Sequence, residues 1–141
     1  MEMTPESAET LIRRYVDEVW NQGQLKTVND LLTSDHLRHD PLLDHDIVGT
    51  DAVIVQINEL RNALPDLHFA FSTYPAADGI YVTRRWTMTG THKGHWMGVA
   101  PTGSKITNMG MALSRIESGK IAEEWIQRDN VGLRRQIGMA L

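Results

Sequence analysis

The residue types best suited to moving a proton lie near the end of the sequence. There Glu123, Trp125, Gln127 and Asp129 occupy alternate positions of a strand-like run. Alternation sends all four side chains to one face. An apolar setting of tryptophan and methionine disfavours the charged form of a carboxylic acid, which suits it to general acid/base work. A second use of Asp129 is equally open. It stands just before a short amphipathic tail beginning near Asn130, where aspartate is a common helix cap. On the preceding strand Met109, Met111 and Leu113 form a row, readable as the adaptable wall of an apolar ligand space or as ordinary core.

The densest group of potential ligands is His36-Leu-Arg-His39-Asp40-Pro41-Leu-Leu-Asp44-His45-Asp46. Its spacing matches no helical ligand pair and Pro41 would splay the side chains, so no metal site is expected. The expectation is a solvated loop with one histidine turned inward. His68, between Leu67 and Phe69, packs in or beside the sheet. His92 and His95 flank Lys93-Gly94 and either line the mouth of a hollow or decorate a hairpin.

Other chemistries are excluded by what is missing. The chain has no cysteine, which removes disulfides, thiolate metal sites and thiol nucleophiles. No glycine loop opens a helix around a phosphate, and no serine sits in a Gly-x-Ser-x-Gly elbow. Lys26, Lys93, Lys105 and Lys120 fall on a helix surface, in turns or at strand ends, unsuited to a desolvated Schiff base. Cofactor-free acid/base chemistry or plain binding remains.

The elements that position these groups follow from periodicity. Leu11, Ile12, Tyr15, Val16, Val19 and Trp20 recur at three- and four-residue spacing, predicting a helix from Pro5 to Trp20 with Thr4 as its cap and Gly23 beyond its end. A short second helix carries Leu25, Val28, Leu31 and Leu32. Residues 34–50 read as irregular with a short strand near Leu37, and a third helix runs to about Asn62. After Pro65 the period becomes two, giving strands at about 67–74, 81–92, 105–116 and 121–129. The last two are joined by Glu117-Ser-Gly119-Lys120 as an antiparallel hairpin. The interval Gly94 to Gly103, containing Trp96, is a glycine-punctuated excursion, and a tail from Val131 to Leu141 closes the chain.

Helices followed by consecutive strands specify an α+β fold: a curved antiparallel sheet wrapped by about three N-terminal helices, making a cone with an internal pocket. The 141 residues suit one domain, 1–141. A net charge of −4 argues against a nucleic-acid partner. No apolar run approaches the ~20 residues of a membrane span, and the acidic start is unlike a secretory signal, so a cytoplasmic protein is expected.

Several segments then occur in a familiar order: Tyr15-Val-Asp-Glu-Val-Trp-Asn21, His39-Asp40-Pro41, Gly49-Thr-Asp51, Leu64-Pro-Asp-Leu-His-Phe69, Arg85-Trp-Thr-Met-Thr-Gly-Thr-His92, Gly98-Val-Ala-Pro-Thr-Gly103, Gly119-Lys-Ile-Ala-Glu-Glu-Trp125, Asp129 and Gln136-Ile-Gly138. Together they resemble the SnoaL-like polyketide cyclases, a branch of the nuclear transport factor 2-like superfamily, across nearly the whole chain. The resemblance implies a cone with a deep pocket, a homodimer formed through the sheet, and intramolecular aldol ring closure on a hydrophobic polyketide-like substrate without metal or other cofactor. It implies that Asp129, which follows Trp125 at the family's Trp-x-x-x-Asp spacing, is the acid/base. It nominates His39 as a polar partner and Tyr15 as pocket wall. The expected substrate-binding set is Tyr15, Arg85, His92, Trp96, Met109, Met111, Trp125 and Gln127. One departure stands out: some of these cyclases place a histidine on the third long strand facing the aspartate, where this chain has Leu113 and Arg115.

The leading reading is a cyclase or isomerase in which Asp129 takes a proton from carbon beside a carbonyl while His39, Gln127 or Arg85 holds the enolate oxygen. Epoxide opening or hydrolysis on the same fold is the enzymatic alternative. A non-catalytic ligand-binding or dimerisation module is the third, marked by Asp129 engaged by backbone amides of the tail helix.

Overall fold

A computed structural model describes residues 3–139. Helix α1 (Pro5–Arg14) begins with reciprocal capping: the Ser7 amide donates to Thr4 Oγ1 at 3.1 Å and the Thr4 amide to Ser7 Oγ at 2.9 Å. The expected helix to Trp20 does not keep one pitch. From Tyr15 to Asn21 it widens into π-helical turns, as where the Gln22 amide reaches back to the Asp17 carbonyl at 3.0 Å. That stretch buries Tyr15, Val16, Val19 and Trp20 together. A 3₁₀ turn (Leu25–Thr27) leads into the single turn α2 (Val28–Leu31).

Residues 32–48 are more regular than their composition suggested. They hold an eight-residue strand β1 (Leu32–His39) and a short β2 (Ile47–Val48). Helix α3 (Thr50–Ala63) follows, then β3 (His68–Pro75), β4 (Tyr81–Thr91), β5 (Lys105–Glu117), β6 (Lys120–Arg128) and the tail helix α4 (Asn130–Gln136). The tail reading extended to Leu141, and residues 140–141 lie outside the described residues. The hairpin turn between β5 and β6 uses positive φ at both Ser118 and Gly119, matching the twist of the strands it joins.

The six strands form one curved, unclosed sheet in the order β2-β1-β6-β5-β4-β3. The antiparallel expectation holds for every pair except β1 with β6, which run parallel, so the sheet is mixed. The connection from β1 to β6 spans most of the chain, and local periodicity carries no information about such a pairing. The apolar stripe of α1 and the buried face of α3 (Val53, Ile57, Leu60, Ala63) cover one face of the sheet. That face carries Val82, Trp86, Met88, Ala112, Ala122 and Ile126, all buried. The other face exposes Met109 at 62%, Met111 at 50% and Leu113 at 37%. The methionine row is therefore neither core nor the wall of an internal space. No helix among the described residues is long and apolar enough to cross a membrane.

Candidate active site

The parallel register of β1 on β6 builds the site. It sets Arg38 opposite Glu124 on the helix-covered face and His39 opposite Trp125 on the outer face. Sliding β1 by one residue would exchange the two. Glu124 is fully buried. Its Oε2 accepts from Tyr15 Oη and His36 Nε2, both at 2.8 Å, and lies 3.1 Å from Arg38 Nη1. Its Oε1 accepts from Arg84 Nη2 at 3.0 Å, while Arg84 Nη1 donates to Ser114 Oγ at 3.0 Å. Burial alone would push the Glu124 carboxyl up; Arg38, His36 and Arg84 outweigh it and hold the group well below the usual carboxylate range. Burial and the same carboxylate push the Tyr15 phenol up, so it remains a donor. His36 Nδ1 faces the Ile121 carbonyl at 2.8 Å, and both ring nitrogens therefore meet acceptors.

A second carboxylate, Asp40, anchors the loop after β1. Its Oδ2 accepts from Arg128 Nη2 at 2.7 Å and Gln56 Nε2 at 2.8 Å, with Arg38 Nη2 at 3.5 Å, and its Oδ1 accepts from the Leu42 amide at 3.0 Å. Burial would raise Asp40, but Arg128 and Arg38 hold it below its ordinary value. Gln56 closes the arrangement by also accepting from Arg38 Nε at 2.8 Å.

Of these groups Arg38, Arg84, Arg128 and Gln56 line an interior space, while the two carboxylates are not in its lining. A cavity of about 160 Å³ is bounded by Trp20, Arg38, Gln56, Leu60, Phe69, Trp96 and Arg128 and reaches solvent past Leu42, Leu43, Met97 and Glu59. A smaller hollow adjoins it at Trp20, Arg38, Phe69 and Arg128, and continues to Arg84, Trp86 and Ile126. Trp20, Phe69 and Trp86 form its aromatic wall, edge to face at 5.9 Å and 5.4 Å. Arg38 lies 4.8 Å from the Trp20 ring and Arg128 lies 5.2 Å from that of Trp86. Gly110 stands between Arg128 and Trp86 in the register, and a Cβ there would strike the indole. Chemically the space is an aromatic-walled hollow with fixed cationic donors in its lining, an arrangement that stabilises negative charge developing on oxygen.

The residues nominated from sequence divide between the two faces. Tyr15 and Trp96 are on the inside: Tyr15 through its bond to Glu124, Trp96 on the cavity wall. His92 is fully buried, with Nδ1 2.9 Å from Thr102 Oγ1 and its ring edge-on to Trp96 at 6.4 Å, so it supports a wall residue. His39, Arg85, Met109, Met111, Trp125 and Gln127 are on the outer face. His39 Nε2 meets Glu123 Oε2 at 2.7 Å, Nδ1 meets Asp46 Oδ1 at 2.9 Å, and its ring stacks on Trp125 at 5.6 Å. Burial lowers its affinity for a proton, but the two carboxylates more than restore it, and His39 is raised above its ordinary value. Of the histidines in the 36–46 segment, His36 is the one turned inward, while His45 pairs with Asp44 in the exposed loop.

Asp129 requires the largest correction. The resemblance implies an apolar chamber around it; the structure exposes it, and its Oδ1 accepts the Gly132 amide at 2.9 Å as the cap of α4, the other use its position allows. The reason is parity. Odd positions of β6 face outward, so the residues sharing its face are Trp125 and Gln127, outside the cavity. Sequence reading missed Arg38, Arg84, Arg128, Glu124, Asp40 and Gln56. A signal existed in the charges themselves. Arg84 sits between Val82 and Trp86, and Glu124 between Ala122 and Ile126, so opposite charges recur on the more apolar parity of two strands.

The family model for SnoaL-like polyketide cyclases matches residues 10–137. Two curated relatives are aklanonic acid methyl ester cyclases, DauD of Streptomyces sp. (strain C5) and DnrD of Streptomyces peucetius. Each is 26% identical over 130 residues, covering 91% of this chain and 80% and 88% of the respective relative. TsrD from Streptomyces laurentii superposes with a TM-score of 0.85 at 21% identity, covering 99% of this chain and 100% of that one, a likeness of fold.

Proposed function

The chain belongs to the SnoaL-like polyketide cyclase family, and we propose that it closes a ring in a polyketide-like carbonyl substrate by intramolecular aldol addition, without a cofactor. The supporting observation is the interior slot whose aromatic walls end on Arg38, Arg84 and Arg128. A flexible chain of ketones folded against Trp20, Phe69 and Trp86 loses its freedom before the reacting carbons meet, which removes entropy from the barrier. The guanidiniums hold the oxygen that becomes negative when the proton leaves the adjacent carbon. That carbon then bonds to a second carbonyl carbon of the same molecule, whose oxygen takes the proton back. Mass is unchanged.

Asp40 is the carboxylate we assign to the proton. It is buried, borders the open hollow beside His39, Leu43 and Gln127, and is bonded to Gln56 and Arg128, which line the interior cavity. A carboxylate held low is a weak base, but a site that stabilises the enolate strongly can work with one. Asp129, the family-implied base, is the competing assignment. The outer face, with Met109, Met111 and Leu113 exposed, is read as the contact surface of a homodimer.

The test is conversion of aklanonic acid methyl ester, the compound in the relatives' names, and of simpler linear polyketones, followed by chromatography and mass spectrometry. Expected is an isomer of unchanged mass that forms equally in the presence of a chelator. Asp40→Asn should lower kcat at least a hundredfold while Asp129→Asn stays within threefold. The reverse ranking returns the proton to Asp129, and a product heavier by one water overturns ring closure.

A further inference from the structure

Arg128 is a cation whose charge is only partly answered. Its side chain is 3% exposed, and one of its nitrogens, Nη2, bonds to Asp40. Nε and Nη1 are buried with no partner among the described residues, and neither has Trp20 Nε1. All three belong to side chains that line both parts of the interior space. The remaining buried acceptors there are spoken for, and Glu59 stands exposed at the cavity mouth. Asp40 Oδ2 is shared between Arg128, Gln56 and Arg38, and Glu124 is filled by Tyr15, His36, Arg38 and Arg84.

Charge counting agrees with the hydrogen bonds. Three buried guanidiniums (Arg38, Arg84, Arg128) face two buried carboxylates (Glu124, Asp40), with the exposed Glu59 at the cavity mouth and His36 outside the count. Burial, helped by Arg38, pulls Arg128 down to about 10 against the opposing pull of Asp40. Buried, unpaired N–H groups on an ionised side chain are uncommon in interiors and call for an acceptor. An acceptor carrying one negative charge would satisfy the donors and complete the charge pairing together.

We propose that the interior slot is a binding site for a monoanionic oxygen group on a flat apolar body, with Arg128 as the residue that receives it and Trp20 Nε1 as a second donor. Two chemical sources share this description: a carboxylate, or an ionised 1,3-dicarbonyl. The inference rests on the cyclase reading for the location of the site and goes further in naming the charge state of what enters it. A neutral ketone or ester would leave the same guanidinium charge unanswered.

Binding alone tests it, with no turnover. Calorimetry would compare 2-naphthoate with neutral 2-naphthamide, and 1-phenylbutane-1,3-dione at pH values below and above its ionisation. Expected is at least tenfold tighter binding of naphthoate than of naphthamide, or an affinity for the diketone that rises at least tenfold as it ionises. The first result alone assigns the site to a carboxylate, the second alone to the substrate's own dicarbonyl, and both together to the shared chemistry. Arg128→Met should abolish the preference and exposed Lys26→Met should leave it. Equal affinities for the charged and neutral probes in the unmutated protein overturn the proposal, whatever happens to the folding of a variant. If the anion preference holds while no linear polyketone is cyclised, the cyclase reading fails and the site stands.

Discussion

Replacing Glu124 by glutamine keeps the shape of the buried centre and removes the charge that organises it. In the native arrangement Oε2 receives Tyr15, His36 and Arg38, and Oε1 receives Arg84. A glutamine can offer its oxygen to only one of these sets. The less damaging choice keeps the oxygen toward the three donors and turns the NH₂ onto Arg84, a donor facing a donor. Two buried guanidiniums then lose their carboxylate. Breaking a buried pair from one side costs about 3–5 kcal/mol, and the retained hydrogen bonds place this variant near the lower end. For a chain of this size that corresponds to a Tm lower by roughly 12 °C. The effect has a pH signature. Glu124 is held well below its ordinary value of 4.5, so its stabilisation is complete above that value and is lost as pH falls toward the folded-state value. Denaturant titrations of both proteins at pH 7 and at stepped values below 4.5 provide the measurement. The gap should be about 3 kcal/mol at pH 7 and should narrow in acid, because only the native protein has that carboxylate to protonate. A loss under about 1 kcal/mol at pH 7, or a gap that does not narrow, would refute the account of the centre.

Gly110→Ala should destabilise by about 1–3 kcal/mol, since the added Cβ meets the Trp86 indole and the Gln127 carbonyl, and a shift in tryptophan fluorescence should report the displaced ring. His39 gains its proton affinity from Glu123 and Asp46, so its stabilisation is present below 6.5 and disappears as pH rises through the raised folded value. His39→Gln should flatten that part of the stability profile, and an NMR titration of the ring reads the same group directly. Met109→Lys with Met111→Lys should change monomer stability by no more than about 0.5 kcal/mol, because both side chains are exposed. Under the dimer reading light scattering should find the solution mass halved; a monomeric native protein removes that reading.

Much of the architecture is written locally. The switch from a helical period to a period of two at Pro65, the Thr4 cap and the Ser118–Gly119 turn each act over a few residues, and each appears in the structure where the sequence put it. Pairings between distant segments are another matter. Strand β1 is polar and interrupted in pattern, and its register against β6 is set by burial of Arg38 and His36 with Glu124, a contact between positions more than eighty residues apart. That register and the covering of one sheet face by α1 and α3 decide which parity of every strand looks inward. Alternation along β6 correctly separates Glu124 and Arg128 from Trp125, Gln127 and Asp129. It says nothing of which set the helices cover, because each set mixes apolar and charged groups. The three main helices and the four long strands could be read along the chain, since they follow from neighbouring residues, whereas β2 and the change of pitch after Arg14 could not. Only the tertiary structure decided where the charges meet, since the cost of burying an arginine is offset by a carboxylate that arrives from another strand.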